Sequence, residues 1–189
     1  MKNFLTFLLV LITLNGFSQT KEKKAYNQKF DFRFGTGITI LGTGDYKCLT
    51  FENELNYKFS RYFASSAAFY MGRNFTRSLN TNGSVSFFEG NLNLFVSPFR
   101  NNRLNDFRIG AGLSIYNVSD TYLFNSYYCE WATCQQYSVD KYTVLGGQFI
   151  LEDVIHLSPR FFIGAKVYLQ LYEDFHINNG AMMKFGVTF

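Results

Sequence analysis

Proline is nearly absent, with 2 in 189 residues. Each proline removes a ladder donor, so a chain made mostly of paired strands avoids it. Histidine is equally scarce, at 2, which leaves few candidates for a general base. Only His156 and His176 qualify, the latter beside Glu173 and Asp174. A serine partner would have to come from another segment, and no G-x-S-x-G motif is present. After residue 20 no apolar run approaches the roughly 20 residues that a membrane-spanning helix needs. A mean hydropathy of −0.07 also speaks against a helical membrane protein. An excess of one charge is missing as well. The net charge is +4 and the basic residues are scattered, so no nucleic-acid footprint is visible. The sequence predicts no catalytic residue, no metal-ligand set and no cofactor.

Aromatics are abundant instead, at 20%, with 23 Phe and 13 Tyr. So many rings need burial or an amphipathic interface. The N-terminus reads as an export leader: Met1-Lys2-Asn3 is a short positive start and Phe4 to Leu14 is apolar. Gly16-Phe17-Ser18 then supplies small residues for cleavage after Ser18. As a membrane anchor the run is short, and no cysteine follows it to carry a lipid. The expected organisation is a signal peptide over 1–18, a periplasmic segment over 19–29 and a barrel over 30–189.

The barrel rests on alternation, the period-2 signature of a strand with two unlike faces. Phe30, Phe32, Phe34, Ile38 and Ile40 oppose Asp31, Arg33, Gly35, Gly37 and Thr39. Leu49, Phe51, Leu55, Tyr57 and Phe59 oppose Glu52, Glu54 and Lys58. A weaker row follows at Phe63, Ala67, Phe69 and Met71, then one at Phe88, Leu92, Leu94 and Val96. Further rows run over 107–115, 145–152, 161–171 and 183–189. Eight segments of about ten residues suit a tilted bilayer crossing. The expected fold is an all-β, eight-stranded, antiparallel, transmembrane up-and-down β-barrel. The narrow lumen of such a barrel cannot hold this many Phe rings, so the greasy face is expected outside, against lipid.

Short connections at Ser60-Arg61 and Ser158-Pro159-Arg160, with a longer polar one at Pro98 to Asp106, alternate with long ones at Gly72–Ser84 and Asn117–Lys141. That is the pattern of periplasmic turns and external loops. Two aromatic girdles are expected. The periplasmic one is Phe30, Phe59, Phe63, Phe99, Phe107, Phe161 and Phe189. The outer one is Tyr46, Phe69, Tyr70, Phe75, Phe87, Tyr116, Tyr142 and Tyr172.

With its leader, the turn Phe59-Ser60-Arg61-Tyr62-Phe63, the strand Phe107 to Ile115 and the ending Met183 to Phe189, the chain resembles the OmpA/OmpX-like small outer-membrane barrels. The likeness is greatest to the "outer membrane protein β-barrel" type found in Bacteroidota. It implies a porin-family protein of the Gram-negative cell outer membrane. The terminal Phe189 is similar to the signal read by the barrel-assembly machinery, which with outer-membrane lipids would be its partners.

Three groups of residues are candidates for function. Arg33, Glu54, Glu152, Lys166 and Lys184 are expected at similar heights inside, as a salt-bridge network that plugs the lumen. Cys129 and Cys134, in the longest loop, suggest a local disulfide in an oxidising compartment. Cys48 is then a free thiol or the true partner of one of them. Tyr127, Tyr128 and Trp131 in the same loop suggest a binding surface for an unknown ligand. The expected function is a structural or surface-binding outer-membrane barrel. The alternatives are a lipid A-modifying enzyme using His176, or a narrow porin.

Overall fold

A computed structural model of the chain describes residues 29–42, 46–75, 84–99, 105–125, 135–173 and 177–189, without side chains for 122–125 and 135–137. Eight strands follow one another: β1 (Phe30–Leu41), β2 (Tyr46–Lys58), β3 (Phe63–Asn74), β4 (Ser84–Val96), β5 (Asn105–Asn125), β6 (Gln135–His156), β7 (Phe161–Tyr172) and β8 (Ile177–Thr188). Each pairs antiparallel with its neighbours in sequence, and β1 pairs with β8 to close the barrel. Phe30 and Phe189 finish the seam by exchanging backbone hydrogen bonds of 3.2 and 2.9 Å. The closed, eight-stranded, up-and-down topology is the expected one. Closure matters because it leaves the transmembrane ladder no open edge.

We call proximal the end where β1 starts and β8 stops. The two tight proximal turns share one device. Ser60 Oγ accepts the N–H groups of Tyr62 and Phe63 at 3.1 and 3.0 Å. Ser158 Oγ accepts those of Arg160 and Phe161 at 3.3 and 3.0 Å. A serine hydroxyl thus stands in for a backbone partner at each reversal.

The distal side differs from expectation. Most of the segment Asn117–Lys141 is ladder, not loop. β5 and β6 stay paired as far as Asn125↔Gln135. The strands flanking them stop earlier, β4 at Ser84↔Thr121 and β7 at Gly146↔Tyr172. A two-stranded ribbon therefore stands above the rim, and β6 from Gln135 to Leu145 has no partner on its β7 side among the described residues. The threonines, tyrosines and valines of this stretch are good strand formers, which loop length alone did not reveal. Residues 1–28, Tyr127, Tyr128, Cys129, Trp131, Cys134 and His176 lie outside the described residues.

The two faces sort as alternation predicts. Phe32, Phe88, Leu92, Leu113 and Phe149 are exposed, Leu113 by 73%, while Asp31, Glu52, Glu54 and Arg108 are fully buried. The polarity is inside-out relative to a soluble core.

The aromatic girdles need correction. Phe30, Phe59, Phe63, Phe99, Phe161 and Phe189 are exposed at the proximal end, and Phe75 and Tyr142 at the distal end, whereas Phe69 is exposed at mid-strand, opposite Asn53 and Gly90. Tyr70, Phe87, Tyr116 and Tyr172 instead point inward and are buried. The lumen also takes in Phe95, Phe162 and Tyr168. It has room because rings face glycines. Phe87 is paired across the ladder with Gly72, Phe95 with Gly110, Phe162 with Gly186, Tyr168 with Gly180 and Tyr172 with Gly146. A β-carbon at Gly110 would lie 2.6 Å from the Phe95 ring, and one at Gly180 would lie 2.5 Å from the Tyr168 ring. Each ring lies over the bare backbone of its partner, so large and absent side chains fill the narrow interior together.

This packing makes a contrast measurable by urea titration of the detergent-refolded protein. Gly110→Ala, which must displace the Phe95 ring, is expected to lose about 1–3 kcal/mol. Gly90 faces outward with open space around its Cα. Gly90→Ala is therefore expected to stay within about 0.5 kcal/mol of wild type. Equal stability of the two variants would contradict the ring-on-glycine account.

Candidate functional site

Most of the inward-facing charges collect in one layer near the barrel axis. Glu152 on β6 is its hub: it accepts from Arg33 on β1 and from Lys184 on β8 at 3.4 Å, and forms an ion pair with Arg108 on β5 at 2.9 Å. Lys184 also meets Glu54 of β2 and lies 3.2 Å from Glu52. Lys166 on β7 reaches Glu52 at 2.8 Å and donates to the Tyr70 hydroxyl on β3. Toward the proximal end, Arg33 pairs with Asp31 at 2.7 Å, and Lys58 meets the same carboxylate at 3.1 Å. Asn56 bridges the two halves, donating to Asp31 at 3.1 Å and accepting from Arg108 at 2.8 Å.

Four carboxylates (Asp31, Glu52, Glu54 and Glu152) thus share space with five cations (Arg33, Lys58, Arg108, Lys166 and Lys184). Rings back the cations. Arg108 lies over Phe95 at 4.2 Å, Arg33 over Phe162 at 5.0 Å and Lys166 over Tyr70 at 4.9 Å. Charges withdrawn from water are tolerated only when paired and hydrogen-bonded, and each cation here has a carboxylate.

All five residues anticipated for this network (Arg33, Glu54, Glu152, Lys166 and Lys184) lie in it. Glu52, Arg108, Asp31 and Lys58 complete it, although sequence reasoning placed them inside without assigning them partners. One connection differs from expectation. Lys166 is opposite Glu152 in the ladder, yet its ammonium goes to Glu52. The cause lies in the closing register. Gly35 is paired with Glu52 on one side and Lys184 on the other. A β-carbon there would sit 2.9 Å from Glu52 Oε2, so the glycine leaves the carboxylate open to lysines from the far strands. An inward glycine between an acid and a base on adjoining strands is the signal that was available.

Above this layer the interior is polar but not ion-paired. Gln170 donates to Glu89 and lies 3.4 Å from Gln148, which donates to Asn93. Asn93 donates to Ser66 at 3.2 Å. Distal to these, Tyr116 and Tyr172 stack at 4.8 Å and Phe87 tilts against Tyr116 at 5.5 Å. At this level Thr39 and Thr50 share a 2.5 Å hydrogen bond, and the Tyr168 hydroxyl joins them. The lumen is thus crossed by charged, amide and aromatic layers in succession. Cys48 is buried at the distal end of β2 and is a free thiol among the described residues. His156 packs edge-on against Phe162 at 5.6 Å, near the proximal end. No group of three or more His, Cys, Asp or Glu residues suited to a metal occurs among the described residues.

No family model matches the chain, and no curated protein matches it. Solved structures do. Ail, the attachment invasion locus protein of Yersinia pestis, matches with a TM-score of 0.56 at 12% identity, over 86% of this chain and 97% of that one. Neisserial surface protein A matches with a TM-score of 0.58 at 11% identity, over 85% and 96%. The N-terminal β-barrel domain of Pseudomonas aeruginosa OprF matches with a TM-score of 0.56 at 12% identity, over 86% and 98%. The similarity is one of fold: a small eight-stranded barrel of the outer-membrane type.

Removing one member of a buried ion network leaves its partners charged and unmatched. Lys184→Met strips Glu54 of its nearest cation and removes one of the cations that neutralise Glu52 and Glu152. It is expected to cost about 3–5 kcal/mol in urea titration. Lys58→Met, at the wetter rim of the network, is expected to cost about 1 kcal/mol or less. A Lys184→Met barrel as stable as wild type would show that the network contributes no cohesion.

Proposed function

We propose that this chain is a non-enzymatic outer-membrane barrel, exported by its N-terminal leader, closed to ions, and holding a ribbon at the cell surface. One observation carries the reading: the outer wall is apolar all round, while nine charged side chains face in and meet one another. Lipid is the surrounding that makes such a wall stable, since an apolar band with aromatic edges matches hydrocarbon and its interfaces. In this orientation the proximal turns face the periplasm and the β5–β6 ribbon faces outward.

The plug follows from the layers along the axis. An ion entering would have to part Lys184 from three carboxylates and then pass between stacked tyrosines. Small barrels are usually filled by their own side chains. The extended ribbon favours display over conduction, because it adds ordered surface outside the wall and nothing inside it. The finer likeness to Bacteroidota barrels, and assembly through Phe189, belong to the same proposal.

Three measurements test it together. The detergent-folded protein is expected to migrate differently from its boiled form on a gel. Planar bilayers containing it should carry no resolved unitary current. Lipid A from expressing cells should keep its acyl pattern by mass spectrometry. Stable, monodisperse folding in detergent-free buffer would overturn the membrane placement. Discrete channel steps would overturn the plug, and a changed acyl pattern the non-enzymatic reading.

A further inference from the structure

The outer wall carries an amide at mid-height on β2. Outward positions there run Leu49, Phe51, Asn53, Leu55 and Tyr57, while Glu52 and Glu54, on either side of Asn53 in the chain, are fully buried. Asn53 therefore presents its carboxamide to the surroundings of the barrel, at the centre of the apolar belt. Its ladder partners are Phe34 and Phe69, whose rings offer it neither an amide nor a carbonyl. Its side chain makes no hydrogen bond among the described residues. Water would solvate such a group. Hydrocarbon gives it nothing to bond to, which is unfavourable until another polar group reaches the same depth.

The wall beside it is shaped for close approach. Leu55 and Tyr57, both exposed, form a ridge on β2. Next to the ridge lies a furrow of about 490 Å³, floored by Ser65 and Ala67 of β3 and bounded on its far side by Leu92 and Leu94 of β4. Ridge and furrow occupy adjoining strands, since Leu55 is paired with Ala67 and Ala67 with Leu92.

We infer that this wall is a homodimer interface within the membrane, with a second copy of the chain as its partner. Copies inserted the same way are related by a two-fold axis along the membrane normal, which returns every residue to its own depth. An axis between β2 and β3 lays each ridge in the other copy's furrow and brings the two Asn53 side chains together. A carboxamide is self-complementary, because each one can donate to the other's carbonyl and accept in return. Acyl chains would fill the furrow but offer the amide no partner. A different protein would have to bring a polar group to the same depth, which a second copy does by identity. Small residues at the contact and hydrogen bonds between chains hold membrane spans together where burial from water no longer drives association. The inference rests on the membrane placement proposed above.

The test is energy transfer between donor- and acceptor-labelled copies of the full folded chain in phosphatidylcholine vesicles, over a range of protein-to-lipid ratios. Transfer is expected to exceed that of randomly distributed barrels and to saturate. Asn53→Leu, which suits lipid and should keep the fold, is expected to weaken association by about threefold or more. Ala67→Phe, which fills the furrow, is expected to weaken it by about tenfold. Ala165→Leu, on the outward face of β7 across the barrel, is expected to leave it unchanged. Transfer no greater than random for the wild type would overturn the proposal. So would unchanged association in both Asn53→Leu and Ala67→Phe, or an equal loss in Ala165→Leu. Flotation and the gel shift are read on the same samples. Protein that stays in solution without floating would sink the membrane reading and this inference with it. Floated, heat-modifiable barrels without transfer would sink the interface alone.

Discussion

Lys184 holds Glu52, Glu54 and Glu152 within reach of one ammonium group, and the rest of the interior is arranged around that arrangement. Three carboxylates cannot stay close in a medium with little water unless cations are interleaved among them. Arg33 arrives from β1 and takes one oxygen of Glu152, while Arg108 shares the other with Lys184. Lys166 takes the other oxygen of Glu52. Because the partners come from β1, β2, β5, β6, β7 and β8, the network ties strands that are not neighbours in the ladder. Backbone pairing fixes each strand to the next, and charge pairing fixes them across the diameter.

The aromatic layers serve the same end by a different route. A barrel of eight strands has little room at its axis, and the glycines opposite Phe87, Phe95, Phe162, Tyr168 and Tyr172 supply it. Phe95 and Phe162 then lie beneath the guanidinium groups of Arg108 and Arg33. Each ring fills volume a water column would otherwise occupy, and its face is a further partner for a desolvated cation. Glycine content that looks like turn chemistry in the sequence is largely packing chemistry in the fold.

Much of this was legible in the residues, for identifiable reasons. A wall between lipid and a polar axis imposes a period of two, so Phe30 to Ile40 and Phe161 to Leu171 declare their faces directly. The same parity sorts Asp31, Arg33, Glu52 and Arg108 inward. Parity does not give height, however. Which acid meets which base depends on stagger, and the stagger is set by pairs such as Gly35 with Lys184, far apart in the chain. Tyr70, Phe87, Tyr116 and Tyr172 were misplaced because residue type was weighed above parity. Each adjoins an outward-facing residue (Phe69, Phe88, Ile115 and Leu171) and so had to point inward. The ribbon was missed because polar strand formers such as Thr121 and Tyr122 also suit a loop.

The unequal lengths of the strands set a reach. From Gln135 through Leu145, eleven residues of β6 continue past the last pair with β7. At about 3.3 Å per residue they trace roughly 36 Å of path. With a tilt near 45°, the outermost pair Asn125↔Gln135 stands about 25 Å above the rim on the β7 side, while on the β4 side, paired up to Thr121, only four residues of β5 stand clear. Standing height is therefore encoded as a number of rungs. Trimming the ladder two residues at a time would lower the tip in steps and keep every side chain on its own face.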